Sequence, residues 1–262
     1  SANEACNVLA QAVAGSVADF VDLMNQRAAE LGMTGTHFAN THGYHNDDHY
    51  TTARDVARMC QEAMRHPEFR EIVSSVSYTV PATNMSPARN IHDTNYLISN
   101  FISGRSDLLY RYAIGIKTGS TPEAGHCLAS AAEKNGRTMI AVLLQGESVT
   151  ASPAANYFVE SKRLLEHGFN DFARTEVLSP IEPIRTVPVP LCAQQDYVTV
   201  QPARGLEATL PKEMDSASFT REIDLPDTLE APIQKGQVLG TIRLRYGNRD
   251  FGTVDLVATA DL

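Results

Sequence analysis

The feature that most constrains the fold is a change of residue pattern near position 172. Beyond it, the helical spacing of apolar residues disappears, and short alternating runs such as residues 197–200 and 242–246 take its place. Prolines separate these runs, at positions 180, 183, 188, 190, 202, 211, 226 and 232. Short alternating runs between turn residues are typical of all-β domains. We therefore predict two domains, residues 1–172 and a small all-β domain of residues 173–262.

Charge and hydropathy exclude two classes of function. The 262-residue chain has a net charge of −9 and no cluster of lysine and arginine, whereas nucleic-acid binding requires clustered cations that neutralise phosphates. Its longest apolar runs, such as residues 139–144, are far shorter than the roughly 20 residues of a membrane-spanning helix. The sequence therefore predicts no nucleic-acid partner and no transmembrane segment.

Three helices are predicted within the first 65 residues. The first carries an apolar stripe at helical spacing, which predicts one buried face: Ala5, Val8, Leu9, Ala12 and Val13. Ser16 with Asp19, and Thr52 with Asp55, have the spacing of a capping box that opens a helix. Gly32 is a stop signal for the second helix.

Residues 127–133 and 138–144 are apolar runs that predict an antiparallel sheet. They are joined across Asn135-Gly136, a dipeptide that favours a type I′ hairpin turn. Earlier in the chain, Pro67 opens a short helical turn, and a β-branched run follows near residues 76–80.

A last amphipathic helix is predicted after the sheet. It runs from about Pro153 through Phe158 and Leu165, and Gly168 is expected to end it.

Cysteine and histidine provide no strong metal signal. Cys6, Cys60, Cys127 and Cys192 form no CxxC pair, and although three disulfide pairings remain open, we expect buried free thiols. A polar segment holds several side chains that are good zinc ligands in principle: His37, His42, His45, His49, Asp47 and Asp48. Because no ordered ligand pattern is present, we expect a polar loop, with no metal and no cofactor.

The strongest chemical motif is Lys117-Thr118-Gly119-Ser120, which follows the apolar segment 113–116. The Lys117 amine would place positive charge beside a cleft, Gly119 would let a substrate approach the backbone, and the hydroxyls of Thr118 and Ser120 suit a carboxylate. By itself the motif also fits a surface strand that ends in a turn. A second and weaker motif is the triplet Ser1-Ala2-Asn3, immediately before the first helix.

Together these motifs resemble the SxN and KTG motifs of the penicillin-recognising serine enzymes. Three further segments resemble stretches of D,D-carboxypeptidases among the low-molecular-weight penicillin-binding proteins: residues 36–38, 41–43 and 52–55. Two segments near the end resemble the β-sandwich that follows their catalytic domain: residues 231–237 and 254–258. The resemblance implies a mixed α and antiparallel β transpeptidase-like domain, incomplete at its N-terminus, followed by a β-sandwich.

The resemblance also implies a reaction and roles for the motif residues. In this family the serine of an SxxK motif attacks the carbonyl between two D-alanines, with the SxxK lysine as base. Ser1 would relay a proton, Asn3 would hold the substrate amide, and Lys117 would supply positive field. Thr118 and Ser120 would bind the terminal carboxylate, and the Ser120 N–H would form half of an oxyanion hole.

The implied partners are peptidoglycan stem peptides and β-lactam antibiotics. The implied location is outside the bacterial cytoplasm, in the periplasm or at the outer face of the membrane. An anchor beyond Leu262 would be consistent with the family.

Two departures from the family pattern stand out. No serine is followed by a lysine three residues later, so we expect an upstream polypeptide to carry SxxK and this chain alone to be inactive. Tyr157 stands seven residues before Leu164, where relatives often have an arginine that binds the substrate carboxylate. Three alternatives remain: a β-lactamase, a non-catalytic binding or scaffolding protein, and an N-terminal nucleophile hydrolase in which Ser1 attacks.

Overall fold

The structure is a computed structural model that describes residues 1–148, 156–192, 195–214 and 218–262. The chain divides into an N-terminal unit, Ser1–Phe169, and a C-terminal unit, Asn170–Leu262. The mixed α and antiparallel β fold predicted from the sequence is confirmed in the first unit, and the all-β fold in the second.

Four helices occupy most of the first 74 residues: α1 Asn3–Ala14, α2 Val17–Glu30, α3 Ala53–Ala63 and α4 Pro67–Ser74. Ser16 Oγ accepts a hydrogen bond from the Asp19 N–H at 3.0 Å, and Thr52 Oγ1 accepts one from the Asp55 N–H at 3.2 Å. Each bond satisfies a backbone donor that the first turn of a helix leaves unpaired. Both predicted helix starts are therefore confirmed.

The predicted apolar face of α1 is exposed in this chain. Only Ala10 of this helix is buried, while Val8, Leu9 and Val13 are 67%, 63% and 70% exposed. Helical spacing of apolar residues shows which face of a helix is apolar, but not whether another element covers that face. In the described part of the chain, α2 packs against α1 and leaves this stripe uncovered.

The centre of the N-terminal unit is an antiparallel sheet with strand order β3-β4-β5: β3 Ala113–Thr121, β4 Gly125–Lys134 and β5 Arg137–Gly146. Asn135 and Gly136 join β4 to β5 with φ angles of 54° and 70°, so the predicted type I′ turn is confirmed. Three smaller elements precede the sheet, namely β1 Ser77–Val80, its antiparallel partner β2 Arg89–His92, and a 3₁₀ turn at Ser106–Leu108.

The last helix of this unit is α5, Tyr157–Asp171. Pro153, where its start was expected, lies outside the described residues. The prediction that Gly168 ends the helix was wrong, because the helix continues for three more residues. A Cβ at this position would lie 3.1 Å from Met139 Sδ on β5, so Gly168 serves close packing of the helix on the sheet.

Separate cores lie on the two faces of the sheet. On one face, residues of β4 pack against α5, including Leu128, Phe158 and Leu165. On the other, Cys60 and Ile116 belong to a smaller core with α3 and α4. Of the cysteines, Cys6, Cys60 and Cys127 carry free thiols, and Cys60 is the buried member of these three.

The C-terminal unit consists of two antiparallel sheets. The larger has the order β10-β11-β12-β8-β7 and the smaller pairs β6 with β9: β6 Phe172–Leu178, β7 Arg185–Pro188, β8 Tyr197–Pro202, β9 Leu206–Pro211, β10 Thr220–Asp224, β11 Val238–Tyr246 and β12 Arg249–Ala258. Leu178 and Leu210 from the smaller sheet share one core with Val200, Ile242 and Leu256 from the larger. This is sandwich packing, in which the inner faces of two sheets form the core.

A search of the described residues for membrane-spanning helices finds no single helix of sufficient length and apolarity. The pair α1 and α2 passes the test together by length and composition, with a bend of 85° between the two helices.

Candidate active site

The structure brings Ser1 and Lys117 together from positions 116 residues apart. Lys117 Nζ donates a hydrogen bond to Ser1 Oγ at 2.6 Å and a second one to the Thr118 carbonyl oxygen. Lys117 lies on β3, which is an edge strand of the sheet among the described strands, and Ser1 lies two residues before α1. A direct amine–hydroxyl contact of this length permits proton transfer between the two groups.

Asn3 is the first residue of α1 and is exposed. Its side chain makes no hydrogen bond to another described residue, in contrast to Ser1. The structure therefore places Asn3 near Ser1 in sequence, without a side-chain hydrogen bond to the Ser1–Lys117 pair among the described residues.

The other three residues of the Lys-Thr-Gly-Ser motif extend along β3. Thr118 Oγ1 lies 2.6 Å from Thr94 Oγ1, so the two hydroxyls share a hydrogen bond. A Cβ at Gly119 would meet no heavy atom within 4 Å, which leaves this stretch of backbone accessible. Ser120 is exposed and lies opposite His126 in the register between β3 and β4.

A cleft of about 820 Å³ opens beside the Ser1–Lys117 pair. Its walls are the start of the chain, the motif strand, α4 and the β1–β2 hairpin. Asp93 and Thr94, which follow β2, line this cleft together with Lys117 and Thr118. Neither residue is predicted from the sequence, because Asp93-Thr94 lies in a polar stretch with no recognisable spacing relative to the motifs.

Partial burial changes the protonation chemistry of the cleft. The pKa of the Lys117 amine is lowered because burial disfavours its charged form, while nearby Asp93 and Cys6 act in the opposite direction. The pKa of the Asp93 carboxyl is raised, again because of burial, although the Asn95 N–H donates to its Oδ1 at 2.6 Å and Lys117 lies nearby. A lowered lysine pKa increases the fraction of amine that can accept a proton from Ser1.

Tyr157, which stands where relatives often have arginine, is buried at the start of α5. Its ring stacks on His126, with ring centroids 5.2 Å apart and an interplanar angle of 9°. Burial raises the pKa of its phenol to about 12, so the side chain is neutral near pH 7. Tyr157 therefore cannot supply the positive charge of an arginine.

An apolar groove of about 510 Å³ lies between α3, α4 and the sheet. It is lined mainly by aliphatic and aromatic side chains, including Val56, Met59, Cys60, Phe69, Val73 and Val142. Lys117 and Thr118 stand at its edge, so the groove adjoins the Ser1–Lys117 pair.

The histidine-rich loop between α2 and α3 uses ring nitrogens to bind its own backbone. His37 Nδ1 lies 2.6 Å from the Asp48 carbonyl oxygen, and the Ala39 N–H donates to His49 Nδ1 at 3.1 Å. Across the part of the chain that the structure describes, no three histidine, cysteine, aspartate or glutamate side chains form a metal-binding group.

Comparison with known proteins gives this geometry a context. Residues 1–148 match the family model of D-alanyl-D-alanine carboxypeptidase, and residues 182–262 match that of the penicillin-binding protein 5 C-terminal domain. The chain belongs to the D-alanyl-D-alanine carboxypeptidase family of low-molecular-weight penicillin-binding proteins.

Relatives match the chain from end to end. D-alanyl-D-alanine carboxypeptidase DacF of Bacillus subtilis is 27% identical over 262 residues, which are 100% of this chain and 63% of DacF. DacA of Escherichia coli K12 is 28% identical over 263 residues, covering 100% of this chain and 60% of DacA. The crystal structure of penicillin-binding protein 5 from Haemophilus influenzae aligns with a TM-score of 0.68 at 26% identity, covering 99% of this chain and 70% of that one. The chain thus spans 60% to 63% of the length of these curated relatives.

Proposed function

We propose that this chain is part of a serine D-alanyl-D-alanine carboxypeptidase that removes the terminal D-alanine from peptidoglycan stem pentapeptides. The observation that carries the proposal is the 2.6 Å contact between Lys117 Nζ and Ser1 Oγ. It brings together one residue from each of the two motifs, and both residues line a cleft with room for a peptide. The names of the relatives support the same reaction class.

The reaction proceeds through an acyl-enzyme. A serine of an SxxK motif, supplied by an upstream segment, gives its hydroxyl proton to the SxxK lysine and attacks the carbonyl carbon between the two D-alanines. The bond to the terminal D-alanine nitrogen then breaks, and that nitrogen receives a proton through Ser1. Water hydrolyses the resulting ester, which restores the serine and releases the shortened peptide.

The residues of this chain bind the substrate and move protons. Lys117 donates a hydrogen bond that holds the Ser1 hydroxyl and supplies positive charge beside the cleft. Asn3 binds the substrate amide, and Thr118 and Ser120 bind the terminal carboxylate across the accessible backbone of Gly119. The Ser120 N–H contributes to an oxyanion hole, where loss of one donor typically costs about 3 kcal/mol in the barrier.

The upstream segment with SxxK packs on apolar surface of the N-terminal unit. Two features support this step. The stripe of Val8, Leu9 and Val13 on α1 is largely exposed, and the groove between α3, α4 and the sheet is open and apolar. Apolar patches of this kind mark interaction surfaces in soluble proteins.

The remaining elements of the proposal concern domains, ligands and location. Residues 1–172 form the C-terminal portion of the catalytic domain, and residues 173–262 form a sandwich domain outside the active site. β-Lactam antibiotics acylate the same serine. The protein acts outside the cytoplasm of a bacterium, where peptidoglycan is built.

Labelling with a fluorescent penicillin tests the proposal. We expect the full-length gene product to form a covalent adduct on the SxxK serine, and residues 1–262 alone to form none. Ser1→Ala and Lys117→Ala should each slow acylation of the full-length product by roughly a hundredfold, the usual contribution of a positioned proton-transfer group. Lys212→Ala, at an exposed position of the C-terminal unit, is the matched control. Wild-type labelling of Lys117→Ala, or an adduct on residues 1–262 alone, would overturn the proposal.

A further inference from the structure

We propose that His126 is a binding residue for the carboxylate of the substrate's terminal D-alanine, and that it makes the site selective for a free carboxyl end. This inference rests on the proposed function, because it names an additional ligand for the substrate of that same site.

The register of the sheet places His126 beside the motif strand. His126 of β4 is directly opposite Ser120 of β3. Opposite residues on antiparallel strands present their side chains on the same face of the sheet, with Cβ atoms roughly 5 Å apart. Because β3 is an edge strand, a ligand held by the Ser120 hydroxyl lies within reach of the His126 ring.

The third strand, β5, allows Tyr157 to pack against the His126 ring. Gly146 of β5 is the register partner of His126 on its other side. A Cβ at Gly146 would lie 2.7 Å from Tyr157 Cβ, so only glycine lets Tyr157 come this close to the sheet. The Tyr157 ring then lies nearly parallel to the imidazole, at an angle of 9°. Stacking of this kind fixes the plane of the His126 ring.

The imidazole ring carries a hydrogen-bond donor without a partner among the described residues. His126 is half-buried, and neither of its ring nitrogens makes a hydrogen bond to another described residue. A neutral imidazole has one N–H donor and a protonated one has two. A carboxylate accepts such bonds in charge-assisted form, which makes them stronger than bonds between neutral groups.

The surroundings are compatible with a bound anion. The Tyr157 phenol behind the imidazole is neutral near pH 7, because burial raises its pKa to about 12. The hydroxyls of Thr118 and Ser120 precede His126 along the same end of the sheet. A terminal carboxylate would therefore meet two hydroxyl donors and one imidazole donor, whereas a C-terminal amide would lose the charge-assisted bond.

The test measures binding and acylation separately on the full-length gene product. The probes are an acetylated D-alanyl-D-alanine in which a methylene-amine replaces the scissile peptide bond, and the same compound with a C-terminal amide. Imidazole resonances of His126 are assigned by their disappearance in His126→Phe, a variant that keeps the stacking on Tyr157. We expect the acid to shift these resonances and to bind roughly tenfold to a hundredfold more tightly than the amide.

The variants decide whether His126 causes that preference. His126→Phe should lose most of the preference for the acid, and the remainder should come from the Thr118 and Ser120 hydroxyls. His126→Gln should recover part of the loss through its amide N–H, and His45→Phe, in the exposed α2–α3 loop, should leave the preference unchanged. A wild-type preference in His126→Phe, or bound acid that leaves the His126 resonances unmoved, would overturn the inference.

Penicillin labelling of the same samples reports on the proposed function. Labelling without a His126-dependent preference would overturn only the inference, and a preference without labelling would overturn only the proposed function. Absence of both would overturn the two together.

Discussion

The C-terminal unit, residues 170–262, and the N-terminal unit, residues 1–169, differ in how completely they bury their apolar side chains. In the C-terminal unit, Val200, Ile242 and Leu256 are completely buried between two sheets. In the N-terminal unit, Val8, Leu9 and Val13 are at least 63% exposed although they lie at helical spacing on one helix. The C-terminal unit also exposes single apolar residues, such as Leu191, but isolated residues of this kind are ordinary. A periodic stripe left uncovered is different, because it indicates a surface that needs a partner.

Separating the two units should produce the largest effect. Because its core is closed, we expect residues 170–262 alone to be monomeric and to unfold cooperatively. We expect residues 1–169 alone to aggregate, because the α1 stripe and the outer edge of β5, which pairs only with β4 among the described strands, are open to self-association. Size-exclusion chromatography and thermal unfolding by circular dichroism measure both outcomes. A fragment 1–169 that is soluble and melts cooperatively would contradict the inference that the exposed apolar surface of this unit needs a partner.

Removing the C-terminal unit from the full-length gene product tests its independence from the chemistry. We expect penicillin acylation to be largely retained, because Ser1 and Lys117 both belong to the N-terminal unit. Loss of acylation in a truncated protein that still folds would show that the C-terminal unit contributes to the site.

Three leucine substitutions in the full-length gene product sharpen the comparison. Leu244→Ala should lower the free energy of unfolding of the C-terminal unit by about 2 to 5 kcal/mol, because the side chain is completely buried. Leu191→Ala, at a fully exposed position, should change it by less than about 0.5 kcal/mol. Leu9→Ala should cost roughly 2 kcal/mol or more if an upstream segment covers α1. These changes in the free energy of unfolding are measured by chemical denaturation, with hydrogen exchange as the readout for each unit. A Leu9→Ala effect as small as that of Leu191→Ala would argue against an upstream segment that covers α1.

The titration of Cys60 reports on the small core that Cys60 and Ile116 form in the N-terminal unit. Burial raises the pKa of its thiol from 9.0 to about 11, so the folded protein holds this proton more tightly than the unfolded chain. The resulting stabilisation is complete below pH 9 and is lost as the pH rises through about 11, a change of roughly 2 to 3 kcal/mol. Urea denaturation between pH 8 and pH 11 should show a steeper loss of stability in the wild type than in Cys60→Ala. Identical pH dependence in both proteins would contradict the assignment.

The smallest effect is expected at the start of α3. Thr52→Ala removes the hydroxyl that accepts the Asp55 N–H and should lower the free energy of unfolding by about 1 kcal/mol, whereas Thr52→Ser should retain most of it. Since the cap is local, the cost should not depend on whether an upstream segment covers α1. Denaturant unfolding of both variants measures the difference, and equal losses in Thr52→Ala and Thr52→Ser would show that the hydroxyl is not the cause.

Local elements of this protein were determined by the sequence alone. The caps at Ser16 and Thr52 each involve a bond across three residues, and the turn at Asn135-Gly136 depends on two adjacent backbone conformations. The motif around Lys117 and the all-β pattern beyond residue 172 could also be recognised in the sequence, because both depend on residue types at short spacing. Interactions of this range are complete within a segment, so the segment's own residues specify them.

Tertiary structure decided everything that depends on distant segments meeting. The sequence contains no signal that Asp93 and Thr94 line the cleft, that Gly168 packs on Met139 within a continuing helix, or that Tyr157 stacks on His126. The apolar period of α1 likewise does not determine which element, if any, covers its stripe. Each of these facts depends on strand register, on helix placement and on which partners are present. Those are set by the packing of the whole unit and not by any local pattern of residues.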